Sequence, residues 1–146
     1  MAEEQKELAD GLHARITALT ERGNRDCEAG RFREAMAVFS QALELIPEPR
    51  EEWEAATWVL TALGDCAFQL GDFAAARGFL TRAVQAPEGL GNPFIHLRLG
   101  QAQLELGNEA RAKDELARAY MGGGPEIFED EAAKYLIFLR RFMDGI

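Results

Sequence analysis

The sequence has few of the residues from which catalytic and metal sites are usually built. Its 146 residues include two cysteines and two histidines, and they contain no CxxC, HExxH, GxSxG or P-loop motif. Cys27 and Cys66 lie 39 positions apart, which fits neither a disulfide framework nor a zinc site. We therefore expect a protein that is not an enzyme, needs no metal or cofactor, and keeps both thiols reduced.

Basic residues are also scarce. The chain has 16 Lys and Arg against 25 Asp and Glu, which gives a net charge of −9. A surface of this sign repels nucleic acid and anionic membranes, because phosphate groups are bound by clustered Lys and Arg. The charge favours a basic protein partner, although it also maintains solubility without any partner.

Long hydrophobic runs are absent as well. No apolar run approaches the roughly 20 residues that span a bilayer, and the first residues, MAEEQKELADGL, lack the apolar core of a signal peptide. We therefore expect a cytoplasmic protein that makes no membrane contact. Hydrophobic residues still make up 47% of the chain, which is enough for the continuous core of one domain.

Strand patterns are missing, and apolar residues recur at spacings of three and four, as in amphipathic helices. Asp72, Asn92 and Asn108 are predicted N-caps. The pattern predicts six helices, over about residues 3–29, 32–45, 51–70, 73–85, 93–106 and 109–121. A strongly apolar segment follows Pro125, and we expect it to form a terminal helix over 131–143.

Small residues recur at matching positions in three successive units. The corresponding residues are Gly23, Gly64 and Gly100; Gly30, Gly71 and Gly107; Ala35, Ala76 and Ala112; and Ala42, Ala83 and Ala119. Helices approach to about 8 Å only where the contacting residues are small. We expect the first glycine of each unit to face the first alanine across a helix pair, where a bulky replacement would cost about 1–3 kcal/mol.

This pattern resembles the tetratricopeptide repeat (TPR), a helix pair of about 34 residues with the motif W-x2-L-G-x2-Y, A-x3-F and P. The matching positions are Leu19, Arg22, Gly23, Asp26, Ala35, Phe39 and Pro47 in unit 1, Leu60, Leu63, Gly64, Ala67, Ala76 and Leu80 in unit 2, and His96, Leu99, Gly100, Gln103, Ala112 and Leu116 in unit 3. The resemblance implies an all-α fold, a right-handed superhelix of three antiparallel helix pairs with a C-terminal capping helix. It implies one domain over 1–146, with units at about 16–49, 57–90 and 93–126, an N-terminal helix extension at 3–15 and a cap at 127–143.

The chain departs from the family pattern in three places. The step from the first glycine of unit 1 to that of unit 2 is 41 residues, about seven longer than the family unit. We expect the extra residues, around 51–56, to lengthen the third helix, with Trp53 on its apolar stripe. Arg22 and Asp26 replace apolar residues, either as an i,i+4 ion pair or as a polar contact for a partner. His96 replaces the Trp of the motif, where a buried, hydrogen-bonded histidine is favoured over a catalytic one.

In TPR proteins the first helix of each pair lines a concave groove that binds a peptide or a helix. By resemblance, the residues expected to bind a partner are Thr20, Asn24, Cys27 and Glu28 in unit 1, Trp58, Thr61, Asp65 and Phe68 in unit 2, and Phe94, Leu97, Gln101 and Glu105 in unit 3. The aromatic residues of this set would anchor an apolar side chain, and its carboxylates would favour Lys or Arg. The TPR subclass that clamps the acidic tails of heat-shock chaperones needs Lys and Arg at such positions, and this set has neither.

Two segments near the C-terminus have more than one interpretation. The terminal helix, 131–143, either folds into the groove and buries its aromatic residues, or packs elsewhere, or serves a homodimer. The carboxylates of Glu129, Asp130 and Glu131 are expected to form a solvated acidic turn, with a metal site as the less favoured alternative.

The C-terminal part, residues 91–131, also resembles small stand-alone bacterial TPR proteins. Some of these act as immunity proteins beside polymorphic or type VI-secreted toxins. The leading hypothesis is therefore a non-catalytic interaction module that binds a basic protein partner, most concretely an immunity protein that neutralises a secreted antibacterial toxin domain. The alternatives are a cytosolic secretion chaperone or assembly scaffold, and a self-associating structural TPR protein.

Overall fold

The computed structural model describes residues 8–146, and all regular secondary structure in this range is helical. The α-helices of this range are α1 (Asp10–Glu28), α2 (Phe32–Leu45), α3 (Glu54–Gln69), α4 (Phe73–Gln85), α5 (Pro93–Glu105), α6 (Glu109–Gly123) and α7 (Ala133–Arg140). Short 3-10 helices, Arg50–Glu52 and Pro125–Phe128, precede α3 and α7. The predicted all-α class is confirmed, and α2 and α4 have the predicted bounds.

The helices stack in chain order. Each helix from α1 to α6 packs against the next one, so that three helix pairs form a solenoid. The first helices of the second and third pairs, α3 and α5, also contact each other. The helices α1, α3 and α5 therefore form one side of the stack, and α7 packs on α6 at the end.

Each pair turns at a glycine. Gly30, Gly71 and Gly107 have φ angles of +77°, +79° and +86°, a left-handed conformation that a residue with a Cβ atom adopts only with strain. The next helix begins after one more residue in each pair. Asp72 caps α4, since its Oδ1 accepts a hydrogen bond at 3.1 Å from the backbone N–H three residues on. Asn92 caps α5 by accepting from two backbone N–H groups at 3.0 and 3.3 Å, so two of the three predicted caps are confirmed.

The first glycine of each unit lies against the second helix of its pair. A Cβ atom added there would meet a side chain at 2.5–2.7 Å, namely Phe39 for Gly23, Leu80 for Gly64 and Leu116 for Gly100. We expected the glycines to face Ala35, Ala76 and Ala112, but the nearest side chain comes from the residue one turn later. The glycine leaves the space into which that larger side chain packs. All of the matching alanines in the three second helices are fully buried.

Two predicted helix starts are wrong. Residues 3–7 of the predicted N-terminal extension lie outside the described residues, and α1 begins at Asp10. Of the extra residues around 51–56, those from Glu54 onwards belong to α3 as expected, but the earlier ones do not. Residues 50–52 form the 3-10 helix, and Trp53 has an extended backbone, with φ −104° and ψ 140°, immediately before α3. Pro49 is also extended, at φ −75° and ψ 121°, so the chain turns sharply between two extended residues before it becomes helical.

The terminal helix is shorter than expected. The predicted terminal helix, 131–143, is helical over Ala133–Arg140 only, because residues 129–131 form a turn that brings α7 back onto the third pair. Asn108 occupies the N-cap position of α6, yet its side chain donates to Gln103 Oε1 at 2.8 Å and caps nothing. The apolar face of α7 is buried with residues of α5 and α6, in a cluster that contains Leu97, Leu116 and Leu139.

Candidate functional site: a half-open groove

The side of the solenoid formed by α1, α3 and α5 has an open half and a covered half. The open half is a cavity of about 840 Å³ between α1 and α3, which we call the open groove. The residues that recur along its two helices are His13, Thr17, Thr20 and Asn24 from α1 and Glu54, Trp58, Thr61 and Asp65 from α3. Their spacing of three and four places them on one face of each helix. Phe94, at the start of α5, bounds the groove on its third side.

Both tryptophans of the chain line the open groove. Trp58 is 63% exposed, which is unusual for a large aromatic side chain in a concave site. Trp53 is partly buried and packs on the core beneath the groove. The groove therefore presents one accessible aromatic ring on a packed base.

Two of the three threonine hydroxyl groups of the open groove are used within the chain. Thr20 donates to the backbone oxygen of Ile16 at 2.7 Å, and Thr61 donates to that of Thr57 at 2.6 Å. Both bonds return to the preceding helical turn. The two threonines thus have their donors satisfied without any ligand, which makes the middle of the groove less polar than its composition suggests.

The charged side chains of the open groove are carboxylates. Asp10, Glu54 and Asp65 line it, and none of its lining residues in the described part of the chain is Lys or Arg. Asp65 accepts a hydrogen bond from Arg98 Nε at 2.7 Å, so its charge is partly offset inside the protein by a guanidinium that also pairs with Glu131. Asp10 and Glu54 are exposed in the first turns of α1 and α3. The end of the groove where these two helices begin is therefore acidic.

Arg98 lies where the open half meets the covered half, and it is 6% exposed. Its Nη1 donates to Gln101 Oε1 at 2.8 Å and to Glu131 Oε1 at 2.7 Å. Its guanidinium carbon lies 4.8 Å from the ring centroid of Phe68 and 4.9 Å from that of Phe94, within the range of cation–π attraction. Arg98 joins α5 to α3 and to the terminal segment.

The terminal segment covers the third unit. The Tyr135 ring lies 6.4 Å from that of Phe68, and its hydroxyl donates to Glu105 Oε2 at 2.6 Å. Lys134 forms an ion pair with the same carboxylate. Burial alone would raise the pKa of Glu105, but the hydrogen bonds from Lys134 and Tyr135 outweigh it and hold this pKa below its usual range. For the third unit, α7 thus folds onto the groove, which was one of the alternatives left open by the sequence.

The structure separates the predicted partner-binding residues into three groups. The open groove contains Thr20, Asn24, Trp58, Thr61, Asp65 and Phe94. The covered half contains Phe68, Leu97, Gln101 and Glu105. Cys27 and Glu28 lie at the C-terminal end of α1, beyond the cavity. Partner binding by this set stays a prediction, but Leu97 and Gln101 are 1% and 0% exposed and reach no partner while the terminal segment is in place.

Some residues of the site were missed by the sequence analysis. His13 and Glu54 continue the groove spacing by one helical turn towards the N-terminus, so the same pattern could have found them. Arg98 had a weaker signal, an arginine within the apolar stretch PFIHLRLG. Every residue from Ile95 to Gln103 is buried, and a charged residue in a helix that is buried all round requires partners within the fold.

His96 is a structural residue. It is 2% exposed, its Nε2 accepts from the backbone N–H of Gly91 at 2.9 Å, and its Nδ1 lies 2.6 Å from Glu115 Oε1. Because Nε2 accepts, the ring proton is on Nδ1 and is donated to the carboxylate. The predicted buried, hydrogen-bonded histidine is confirmed. Within residues 8–146, no three His, Cys, Asp or Glu side chains group closely enough to hold a metal ion.

The ion-pair alternative for Arg22 and Asp26 is wrong, and so is the predicted solvent exposure of Glu131. Asp26 is bound by Arg31 at 3.2 Å, and no ion pair joins it to Arg22 in the described chain. Arg31 follows the glycine turn, which folds it back over the end of α1. Glu131 does not belong to a solvated turn, because it bridges Arg98 and Gln101, although the two acidic residues before it are exposed.

The fold matches solved structures at low sequence identity. The C-terminal TPR-containing domain of a Plasmodium falciparum FK506-binding protein matches with a TM-score of 0.72 at 15% identity, over 92% of this chain and 91% of that one. The type III secretion chaperone SycD of Yersinia enterocolitica, in complex with a peptide of the translocator YopD, matches with 0.67 at 18% identity, over 92% and 93%. The second TPR domain of human RPAP3, in complex with the HSP70 peptide SGPTIEEVD, matches with 0.66 at 15% identity, over 89% and 96%.

The sequence comparisons agree with the fold. Each helix of the described chain is too short or too polar to cross a bilayer. A comparison with curated proteins gives no sequence match. The tetratricopeptide repeat profile matches residues 14–89, more than half of the chain, and these residues contain most of the first two helix pairs. This chain therefore belongs to the tetratricopeptide repeat family.

Proposed function

We propose that the protein is a non-catalytic interaction module whose open groove binds a basic protein partner. The observation that carries this proposal is an exposed aromatic side chain beside carboxylates, with no cation among the groove residues of the described chain. Trp58 offers a large apolar contact of the kind that dominates interface energies. Asp10 and Glu54 favour Lys or Arg on a partner, and the net charge of −9 adds long-range attraction.

An acidic peptide is a poorer ligand for this groove. The human RPAP3 domain is bound to the peptide SGPTIEEVD, but the cation that contacts the groove residue Asp65 here is already paired. Arg98 is buried and donates to both Asp65 and Glu131. An acidic peptide would therefore meet Asp10 and Glu54 without a cation to balance its own charge.

The most concrete form of the proposal is an immunity protein that occludes a secreted antibacterial toxin domain. Toxins that act on nucleic acids or nucleotides tend to be basic, because their substrates are anionic. An acidic module with an exposed tryptophan complements such a domain in both charge and apolar contact. In this form the protein acts in the cytoplasm and inhibits its partner by covering it.

A cytosolic secretion chaperone is the second candidate. It is favoured by the structural match to the Yersinia enterocolitica chaperone that is in complex with a translocator peptide. A chaperone keeps its partner soluble until export, whereas an immunity protein blocks the activity of a folded partner. The two functions are separated by one comparison, the activity of the captured partner with and without this protein.

Affinity capture from the source cell tests the proposal. The wild-type protein should recover a stoichiometric basic protein, and Trp58→Ala should lose most of it, since truncation of a central aromatic anchor typically costs at least about 2 kcal/mol. Met121→Ala is the matched control, because Met121 is 78% exposed on α6 and outside the groove. Recovery of an acidic partner, of copies of this chain alone, or of equal amounts by both variants would contradict the proposal.

Fluorescence gives a second test that does not need the natural partner. Both tryptophans line the open groove, so intrinsic fluorescence reports its occupation. Titration with an amphipathic Lys/Leu peptide should change the emission, and titration with SGPTIEEVD should not. Binding of the basic peptide should weaken as salt is added, because exposed charges are screened. An acidic peptide that binds more tightly than the basic one would overturn the proposed charge preference.

A further inference from the structure

The two cysteines are brought together by the stacking of the first two helix pairs. Cys27 lies near the end of α1 and Cys66 near the end of α3, and both are free thiols. Their Sγ atoms are 3.4 Å apart. A disulfide bond is about 2.05 Å long, so the two sulfur atoms need to approach by roughly 1.4 Å. Neither cysteine lines the open groove, so this contact lies beside the groove and not within it.

We propose that Cys27 and Cys66 are a modification site that closes to an intramolecular disulfide bond in the presence of an external disulfide such as oxidised glutathione. In the first step the Cys27 thiolate attacks the external disulfide, forms a mixed disulfide and releases one glutathione thiolate. In the second step Cys66 attacks Sγ of Cys27 and releases the second glutathione. The protein loses two hydrogen atoms, and one glutathione disulfide is reduced to two thiols.

The order of the two steps follows from exposure. Cys66 is fully buried, whereas Cys27 is partly exposed, so an external reagent reaches Cys27 first. Cys66 then needs no access to solvent, because its target is the neighbouring sulfur atom. Cys27 is thus the attacking thiol, and Cys66 is the resolving thiol.

The same environment keeps the pair reduced until a disulfide reagent is present. Burial raises the pKa of Cys27, and the negative charges of Asp65, Asp26 and Glu28 raise it further. Burial likewise raises the pKa of Cys66. Since the thiolate is the reactive species, the first step is slow at neutral pH, and the second depends on the close contact of the two sulfur atoms.

The bond would connect the two walls of the open groove. Cys27 follows the groove residue Asn24 by one turn of α1, and Cys66 directly follows the groove residue Asp65 on α3. A cross-link there fixes the separation of α1 and α3 beside the groove. It also closes a chain loop from residue 27 to residue 66, and by the loop-entropy relation it should raise Tm by about 13 °C at most.

The test is oxidation of the full-length wild-type protein. The chain is incubated with oxidised glutathione at mildly alkaline pH, unfolded, treated with a maleimide and analysed by intact mass. The expected product is a monomer that has lost two hydrogen atoms and accepts no maleimide, with a raised Tm that dithiothreitol reverses. In Cys66→Ser, Cys27 should instead retain one glutathionyl group, because the resolving thiol is missing.

Three results would overturn the proposal. The first is a wild-type product that keeps a glutathionyl group on Cys27 and a free thiol on Cys66. The second is disulfide-linked dimers in place of the closed monomer. The third is full maleimide labelling of both cysteines after prolonged oxidation, which would mean that Cys27 does not attack the external disulfide.

Discussion

Replacing Arg98 by alanine is expected to destabilise the protein more than any single change at its surface. Arg98 balances Asp65 and Glu131, at 2.7 Å each, and lies over the rings of Phe68 and Phe94. Removing one partner of a fully buried pair costs about 3–5 kcal/mol. The two carboxylates here keep 29% and 16% of their exposure, so water offsets part of that cost. We therefore expect a loss of about 3 kcal/mol, from a total stability of roughly 5–15 kcal/mol.

Urea unfolding followed by circular dichroism measures this loss, with Arg118→Ala as the matched control. Arg118 and Asp114 form an exposed i,i+4 pair at 3.3 Å, and its removal should cost less than about 0.5 kcal/mol. A double-mutant cycle of Arg98→Ala with Glu131→Gln should show a coupling of about 1–3 kcal/mol. If the Arg98 and Arg118 variants lose equally little stability, the network does not hold the terminal segment on the solenoid and the reasoning is wrong.

Three further changes test local features of the fold. Gly64→Ala should lower the free energy of unfolding by about 1–3 kcal/mol, because the new Cβ atom overlaps a buried leucine at 2.5 Å. Gly78→Ala, on the open face of α4, should raise the free energy of unfolding by up to about 1 kcal/mol. Thermal unfolding should therefore show Tm changes of opposite sign for the two variants, and changes of the same sign would contradict the packing. Asp72→Ala removes the cap of α4 and should lower the free energy of unfolding, measured with urea, by about 1 kcal/mol. An unchanged free energy would mean that the hydrogen bond is absent in solution. The hydrogen bond from Arg82 lowers the pKa of Glu51 in the folded protein. The ion pair therefore stabilises the fold at pH values above the pKa that Glu51 has in the unfolded chain, and this stabilisation is lost as the pH falls through the pKa of Glu51 in the folded protein. Glu51→Gln should therefore lower Tm slightly at pH 7, which corresponds to a loss of less than about 1 kcal/mol in the free energy of unfolding. In acid it should leave Tm unchanged. An equal effect at both pH values would refute the ion pair.

The helix pairs were predictable from the sequence because their signals are local. Gly30, Gly71 and Gly107 each follow the apolar stripe of a helix, where a glycine takes a positive φ angle without steric cost. The bounds of α2 and α4 follow from apolar spacing within one helix. The position of Trp53 was not predictable in the same way, because its apolar spacing fits a helix, whereas the structure gives it an extended backbone immediately before α3.

Some residues of the groove were likewise predicted correctly from the sequence, and others were not. The resemblance to the TPR family predicted Trp58 and Asn24 as groove residues, and both line the open groove. The same resemblance assigned Leu97 and Gln101 to a partner, yet the structure buries both beneath the terminal segment. A resemblance to a family locates the concave side, but it carries no information about which part of that side this chain covers with its own C-terminus.

By itself, the sequence determined the helical class, the three stacked pairs and the acidic surface, because these depend on spacing within about one unit and on composition. Only the tertiary structure decided which half of the groove is open, which carboxylates are already paired and which thiols touch. Arg98 pairs with Asp65, which lies 33 residues before it in the chain, and with Glu131, which lies 33 residues after it. Cys27 contacts Cys66, which lies 39 residues later in the chain. Contacts at such distances depend on how the helices stack, and no periodic pattern within a single helix encodes them.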